Sequence, residues 1–210
     1  MKSIFNLDSP LMRGLGKIAD LMILNILYLI SCIPLFTIGA ANAALYDVCT
    51  RLSRDDALIW RHYWKAFRSN FKKATVLWMI LAAVAALLYG CAIFYWSYEL
   101  PGKDICIAML AVAAVIWLLA YCWVFLLQAR FENIICRTLL NALLCSWSYF
   151  PRSILMSIAN AIPLAVFLFL PGYFLSYIYV FLIFWFSATA YLITLLLKKP
   201  LTRLEELAEN

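Results

Sequence analysis

The residues best suited to binding chemistry lie in one run, WRHYWKAFRSNFKK, which occupies residues 60–73 between two long apolar stretches. The run mixes aromatic side chains with lysine and arginine. Each such cation contributes about 1 kcal/mol of attraction near an anionic lipid surface, and tryptophan and tyrosine favour the boundary between headgroups and acyl chains. The run therefore indicates contact with a membrane surface or with a membrane partner.

On a helix, this run divides into two faces, because aromatic residues recur every three or four positions while basic and polar residues fall opposite. The pattern predicts a cytoplasmic amphipathic helix over residues 58–73 that lies flat on the inner leaflet, with its aromatic face in the headgroup boundary. It would form an elbow leading into the next crossing. We expect anionic lipid or a partner to contact Trp64, Phe67, Arg68, Phe71 and Lys72.

Residue types that support catalysis or metal binding do not form a recognisable site. The seven cysteines lie at least nine residues apart, so they are interpreted as packing residues. The only histidine, His62, falls on the basic face of the elbow, and Asp20 is far from Asp47 in sequence. No G-x-S-x-G, H-E-x-x-H or glycine-rich phosphate motif is present. We therefore expect no catalytic residue, no cofactor and no metal.

Composition predicts that the protein is embedded in a membrane. Hydrophobic residues make up 67% of the 210 positions and charged residues only 13%, too few to cover a soluble globule. The net charge of +6 collects at the ends of apolar segments, and the basic run is half aromatic, so lipid is expected as its partner rather than nucleic acid. We predict a single integral membrane domain over residues 1–210.

Five stretches have the character of helices that cross a bilayer, which requires roughly 20 apolar residues. They cover about residues 18–33, 74–96, 105–127, 153–170 and 173–197. A sixth stretch, residues 37–52, is rich in glycine and alanine, so it predicts a helix packed against protein rather than lipid. It contains Asp47, which would need an ionic partner or water. The fold prediction is an all-α polytopic bundle of five or six membrane helices, with six preferred.

A second elbow is predicted over residues 133–151. Its apolar residues form one stripe and its small polar residues lie opposite. The apolar stripe comprises Leu139, Leu140, Leu143, Leu144, Trp147 and Phe150, and the opposite face comprises Thr138, Asn141, Cys145, Ser146 and Ser148.

Sidedness follows from the positions of lysine and arginine. Residues 51–73 hold seven, residues 130–152 three and the C-terminal tail three, whereas residues 99–104 hold one. Because cytoplasmic loops are enriched in these residues, both elbows and the C-terminus are predicted to be cytoplasmic in a multi-pass protein of the cell membrane. Six crossings would place the N-terminus inside as well, as we expect, whereas five would place it outside.

Three separated stretches resemble the YesL-like family of bacterial integral membrane proteins, a family named as a domain of unknown function. They are GKIADLMILNILYLISCIPLFTIGAANAALYDVCTRL, YWKAFRSNFKKATVLW and RFENIICRTLLNAL. The resemblance implies an accessory role in carbohydrate import, and it implies no catalytic residues.

Two functions remain open at this point. The first is an accessory or scaffold component that binds subunits of a sugar importer of the ABC type through the elbows. The alternative is a small-solute transporter or channel in its own right. Ion relays need ionisable groups at mid-depth, and the crossings from Val76 onward contain none, so the first function is preferred.

Overall fold

Helices form the architecture in the computed structural model, which describes residues 10–52, 58–98, 102–131, 133–169, 172 and 178–209. No strand occurs in these ranges. The helices are α1 (Pro10–Cys32), α2 (Ile38–Leu52), α3 (Ile59–Ser97), α4 (Lys103–Arg130), α5 (Ile135–Ser148), α6 (Phe150–Phe169), α7 (Ile178–Leu196) and α8 (Lys198–Glu209). A 3₁₀ turn, Leu35–Thr37, joins α1 to α2, and a π turn, Phe181–Trp185, lies within α7.

Five of the described helices, α1, α3, α4, α6 and α7, are long and apolar enough to cross a membrane. The prediction of an all-α polytopic helical bundle is therefore confirmed. With 15 residues, α2 is only about 22 Å long, short of a bilayer core of about 30 Å. The preferred sixth crossing is thus not among the candidates, and five is the number that the described helices support.

The short helix α2 is enclosed by other helices, as its glycine and alanine content predicts. Eleven of its 15 residues are buried, and its neighbours include α1, α3, α4 and α7. At its start, Gly39 lies directly against the backbone of Ala74 and the side chain of Trp78 in α3. The contact at Gly39 therefore involves the first half of α3. The last 19 residues of α3, 79–97, extend beyond this contact.

The first predicted elbow needs a correction, because residues 59–73 are not a separate helix. They form the beginning of α3, which runs for 39 residues into the apolar crossing. A sharp turn requires a break in the backbone hydrogen-bond ladder, usually at proline or glycine. Between Ile59 and Tyr89 the sequence contains neither, and the first glycine in α3 is Gly90. The amphipathic stretch and the crossing are therefore one continuous rod.

The second predicted elbow is a separate helix, α5, because Tyr149 interrupts the helix and Pro151 lies in the first turn of α6. Proline is tolerated there, since the first helical N–H groups have no partner within the helix. The small polar face of α5 packs inward, with Thr138 and Ser146 buried. Its apolar stripe points outward, and Trp147 is 79% exposed. Such an arrangement suits a helix whose apolar side meets lipid.

Large side chains fill the interior where α4 meets its neighbours. Trp123, Phe125 and Leu126 are almost completely buried, and Met156 of α6 joins them. The Trp123 indole donates a hydrogen bond of 2.7 Å to the Ser153 hydroxyl of α6. Ser153 in turn donates to backbone carbonyl oxygens of Ser146 and Tyr149, so a buried polar group links α4, α5 and α6.

Candidate functional site

The aromatic face of the amphipathic stretch lies against α2, which corrects the prediction that it enters the headgroup boundary. Tyr63 is fully buried, and Phe67 and Phe71 pack against the cluster that contains Ala40 and Ala43. Alanine leaves room for the rings to approach the α2 backbone closely. For these three residues, the aromatic pattern therefore results from packing within the protein.

The cations of the same stretch face outward and form what we call the basic edge: Arg61, Lys65, Arg68 and Lys72, all exposed. Two tryptophans flank it. Trp60 is 62% exposed and Trp64 is half-buried, and both line a surface groove together with Arg61, Lys65 and Arg68. Of the predicted contact residues, Arg68 and Lys72 are thus exposed, whereas Trp64, Phe67 and Phe71 are partly buried against the protein itself.

A polar cleft lies where α2, α3 and α4 meet, beside the basic edge. Its volume is about 220 Å³. The polar cleft is lined by Asp47, Arg51, His62, Lys65, Ala66, Ser69, Asn70, Gln128, Ala129, Arg130 and Phe131. Among the described residues, the lining includes three cationic side chains, one carboxylate and two amides.

Asp47 has the ionic partner that a carboxylate in this segment was expected to need. Arg51 donates to Asp47 through Nε at 3.0 Å and through Nη2 at 3.5 Å. The two residues are one turn apart on α2, the spacing at which side chains meet on a helix. Lys65 and Arg130 also line the cleft.

Two amides join α3 to α4 at the floor of the cleft. Asn70 donates through Nδ2 to the carbonyl oxygen of Ala66 at 3.2 Å. Gln128, only 4% exposed, donates through Nε2 to the Asn70 Oδ1 at 3.3 Å. The Gln128 Oε1 is buried without a hydrogen-bond partner among the described residues. Buried acceptors of this kind usually find a partner, because leaving one unpaired costs about 1–3 kcal/mol.

A second polar contact joins the first and last candidate crossings. Asn25 is fully buried in α1 and donates to the carbonyl oxygens of Phe181 and Leu182 at 3.2 and 2.7 Å. Its Oδ1 accepts from the Ser187 backbone N–H at 3.0 Å. These groups surround the π turn of α7, where the backbone ladder is irregular and polar groups need other partners.

A chain of hydrogen-bonded side chains joins α1, α2 and α4. The Tyr28 hydroxyl donates to Asn42 Oδ1 at 3.1 Å, and Asn42 Nδ2 donates to the Tyr121 hydroxyl at 3.4 Å. Asn42 lies in α2, so this chain links α1 to α4 through the short helix. The described residues contain no group of three or more His, Cys, Asp or Glu side chains that could hold a metal ion.

Asn25 has its hydrogen-bond partners in α7. Sequence reasoning did not bring Gln128 of α4 together with Lys65 and Asn70 of α3, because Gln128 lies 58 positions after Asn70. The available signal was Gln128, a polar residue at the end of an otherwise apolar crossing. Only the antiparallel pairing of α3 and α4 shows that Gln128 lies opposite Asn70.

Comparison with known proteins adds one finding. No curated protein and no solved structure matches the chain. A protein-family model described as "Protein of unknown function, DUF624" matches residues 21–90. The matched part extends from α1 into the crossing part of α3, and it contains Asn25, all of α2 and the basic edge. Over these residues the chain is similar to a family whose function is not known.

Proposed function

We propose that the chain is a non-catalytic accessory or scaffold subunit in the cell membrane that binds a carbohydrate importer of the ABC type. The basic edge of α3 is the docking surface. The observation that carries this proposal is the division of the amphipathic stretch, whose rings are packed against α2 while its cations point outward. A row of cations on a fixed helix suits recognition of an acidic surface on a partner.

The packing of this part of α3 against α2 supports this role, because it limits the conformational entropy that the basic edge loses on binding. Phe67 and Phe71 hold this part of α3 against α2, and Tyr63 is fully buried. Only the cationic side chains themselves then have to be ordered, at about 0.5–1.5 kcal/mol each. Trp60 adds an exposed aromatic surface next to them, and tryptophan and arginine are the residue types enriched at interface hot spots.

The importer as partner comes from the resemblance to the YesL-like family, in which an accessory role in sugar import is expected. The cytoplasmic placement of the basic edge comes from the lysine and arginine count, and anionic lipid is the competing occupant of the same cations. Transport by the chain itself has less support, because the described interior around α4 is filled by Trp123, Phe125 and Met156.

The test is cross-linking in the native membrane from a photoreactive residue placed at Trp60. It is done in the wild-type background and in R68E/K72E, which reverses two charges of the basic edge. The matched control is K198E/K199E, which reverses two exposed cations at the start of α8. Insertion of each variant is checked by membrane fractionation.

The proposal expects importer subunits to be captured by the wild type and by K198E/K199E, and to be lost in R68E/K72E although that variant still inserts. Capture of the same subunits by R68E/K72E would show that the basic edge is not the docking surface. Capture of lipid alone by the wild type would assign the basic edge to the membrane.

A further inference from the structure

A groove lies where α5 and α8 meet the end of α4, and we call it the α5–α8 groove. Its volume is about 380 Å³, within the 300–1,000 Å³ typical of pockets that hold small molecules. Its lining combines polar side chains of α5 with apolar side chains of all three helices. The residues that define it are Arg137, Asn141, Leu144 and Ser148 of α5, Leu127 of α4 and Leu204 of α8.

The four α5 residues of the groove lie on one face of the helix, because they follow one another at intervals of three or four positions. Arg137 and Ser148 are exposed, and Asn141 is half-buried. In the part of the chain that the structure describes, none of these three side chains makes a hydrogen bond or an ion pair. The polar groups on this wall are therefore accessible to a ligand.

The charge of Arg137 is not balanced by its described neighbours. Arg137 lies in the first turn of α5, which contains no acidic residue, and the dipole of a helix disfavours a cation at this end. The described lining of the groove contains no carboxylate. A second cation lies beside the groove, since the Arg152 guanidinium is 5.7 Å from the centre of the Tyr149 ring, and Tyr149 lines the groove. Arginine forms its strongest hydrogen bonds with phosphates and carboxylates, so an anionic ligand is favoured here.

The groove borders the lipid-facing side of α5, because Leu144 belongs both to the groove and to the apolar stripe. Leu144 is exposed, and so are Leu140, one turn earlier on the stripe, and Trp147. Since this stripe suits contact with acyl chains, a molecule with an acyl chain on the stripe can place its charged group in the groove. A lipid therefore satisfies the apolar and the polar sides of this region together, whereas a small soluble anion satisfies the polar side alone.

We propose that the α5–α8 groove binds an anionic phospholipid of the inner leaflet, with the phosphate at Arg137 and Asn141 and an acyl chain along Leu144 and the apolar stripe. The Asn141 amide and the Ser148 hydroxyl supply hydrogen-bond donors to the headgroup. The inner leaflet follows from the lysine and arginine count, which places α5 on the cytoplasmic side. This site does not depend on importer docking, since Arg137 and Asn141 lie outside the basic edge.

The experiment measures lipid binding to the purified full-length protein in detergent by native mass spectrometry. The probes are phosphatidylglycerol, which is anionic, and phosphatidylcholine with the same acyl chains, which is zwitterionic. The variants are R137Q and N141A. The first control is R203Q, which removes an exposed cation of α8 that does not line the groove. The second is R68Q, which removes a cation of the basic edge. Glycerol 3-phosphate is added as a soluble competitor.

The first phosphatidylglycerol should bind to the wild type about tenfold more tightly than phosphatidylcholine, the equivalent of about 1.4 kcal/mol. R137Q should abolish this preference, and N141A should weaken it. R203Q and R68Q should keep it, because neither residue lines the groove. Glycerol 3-phosphate at the concentration of the lipid should not displace phosphatidylglycerol, since it has no acyl chain for the stripe.

Three results would overturn the proposal. The first is equal binding of the two lipids by the wild type. The second is a preference that R137Q leaves intact, or that R68Q abolishes, which places the lipid elsewhere. The third is displacement of phosphatidylglycerol by an equal concentration of glycerol 3-phosphate, which assigns the groove to a soluble anion. Arg137 is exposed, so R137Q keeps the proposal open to refutation even if N141A does not fold.

Discussion

Asn25 in α1 donates a hydrogen bond of 2.7 Å to the carbonyl oxygen of Leu182 in α7. The two residues are 157 positions apart, so this contact closes the bundle between its first and last candidate crossings. It occurs at the π turn, where Asn25 also accepts from Ser187. A single side chain thus satisfies three backbone groups that no water could reach if α7 crosses a bilayer.

Replacing Asn25 with leucine should destabilise the protein, because it leaves the backbone groups around the π turn unpaired. Polar contacts between membrane helices are worth on the order of 1–2 kcal/mol, and we expect N25L to lose about that much. The measurement is unfolding in mixed micelles with an increasing fraction of sodium dodecyl sulfate.

The matched control is T189V. The Thr189 hydroxyl donates to the Trp185 and Phe186 carbonyl oxygens of its own helix, at 2.9 and 3.0 Å. Its loss should therefore change stability much less. Equal unfolding midpoints for N25L and the wild type would show that the contact at the π turn contributes little.

The close approach of α2 to α3 can be tested at Gly39. A Cβ atom there would collide with the Ala74 carbonyl oxygen and would lie 2.7 Å from the Trp78 Cβ. Both are backbone or near-backbone atoms that cannot move aside, so G39A should force the helices apart and cost on the order of 1–3 kcal/mol. Unfolding in mixed micelles measures the change.

The control for this prediction is G90A, a substitution in α3 away from the contact with α2. Gly90 lies in α3 with nothing within 4 Å of an added Cβ. Alanine is the better helix former by about 1 kcal/mol, so G90A should be neutral or slightly stabilising. Equal unfolding midpoints for G39A and G90A would contradict the close contact between α2 and α3 at Gly39.

The two cysteines of α5 should differ in reactivity. Cys136 is exposed and Cys145 is buried. Burial raises the pKa of the Cys145 thiol, because the thiolate is less favourable away from water. At neutral pH, maleimide should therefore modify Cys136 well before Cys145. Modification of Cys145 should begin only above the usual pH range for a thiol, because the thiolate is the reactive form.

Peptide mass mapping after brief exposure at several pH values measures both sites in one sample. Protein unfolded in sodium dodecyl sulfate serves as the control, and both cysteines should react there. Comparable rates at pH 7 in the folded protein would contradict the inward position of Cys145 on α5.

Much of the fold could be predicted from the sequence, since long apolar runs set the positions of the candidate crossings. The alanine-rich composition of α2 correctly predicted a helix buried among others. The sequence left open whether it crosses, because the ends of this segment are not defined by the sequence. The structure gives it 15 residues, about 22 Å, which is short of a bilayer core of about 30 Å.

In the amphipathic stretch, helical periodicity does not distinguish a face that meets lipid from a face that packs against another helix. A helical face of Tyr63, Phe67 and Phe71 is apolar whether it meets lipid or α2, so the sequence pattern is the same in both cases. The missing turn between this stretch and the crossing was readable from the absence of proline and glycine before Gly90. The polar cleft was not predictable, because it depends on the register between Asn70 and Gln128.

The central claim is that the basic edge lies on the cytoplasmic side, accessible from that compartment. The direct test is labelling of R68C, in a variant that lacks the native cysteines, with a maleimide that cannot cross the membrane. Lys103, at the opposite end of the α3–α4 pair, gives the control K103C. The account predicts that K103C reacts in intact cells and that R68C reacts only after permeabilisation. Labelling of R68C in intact cells would contradict it.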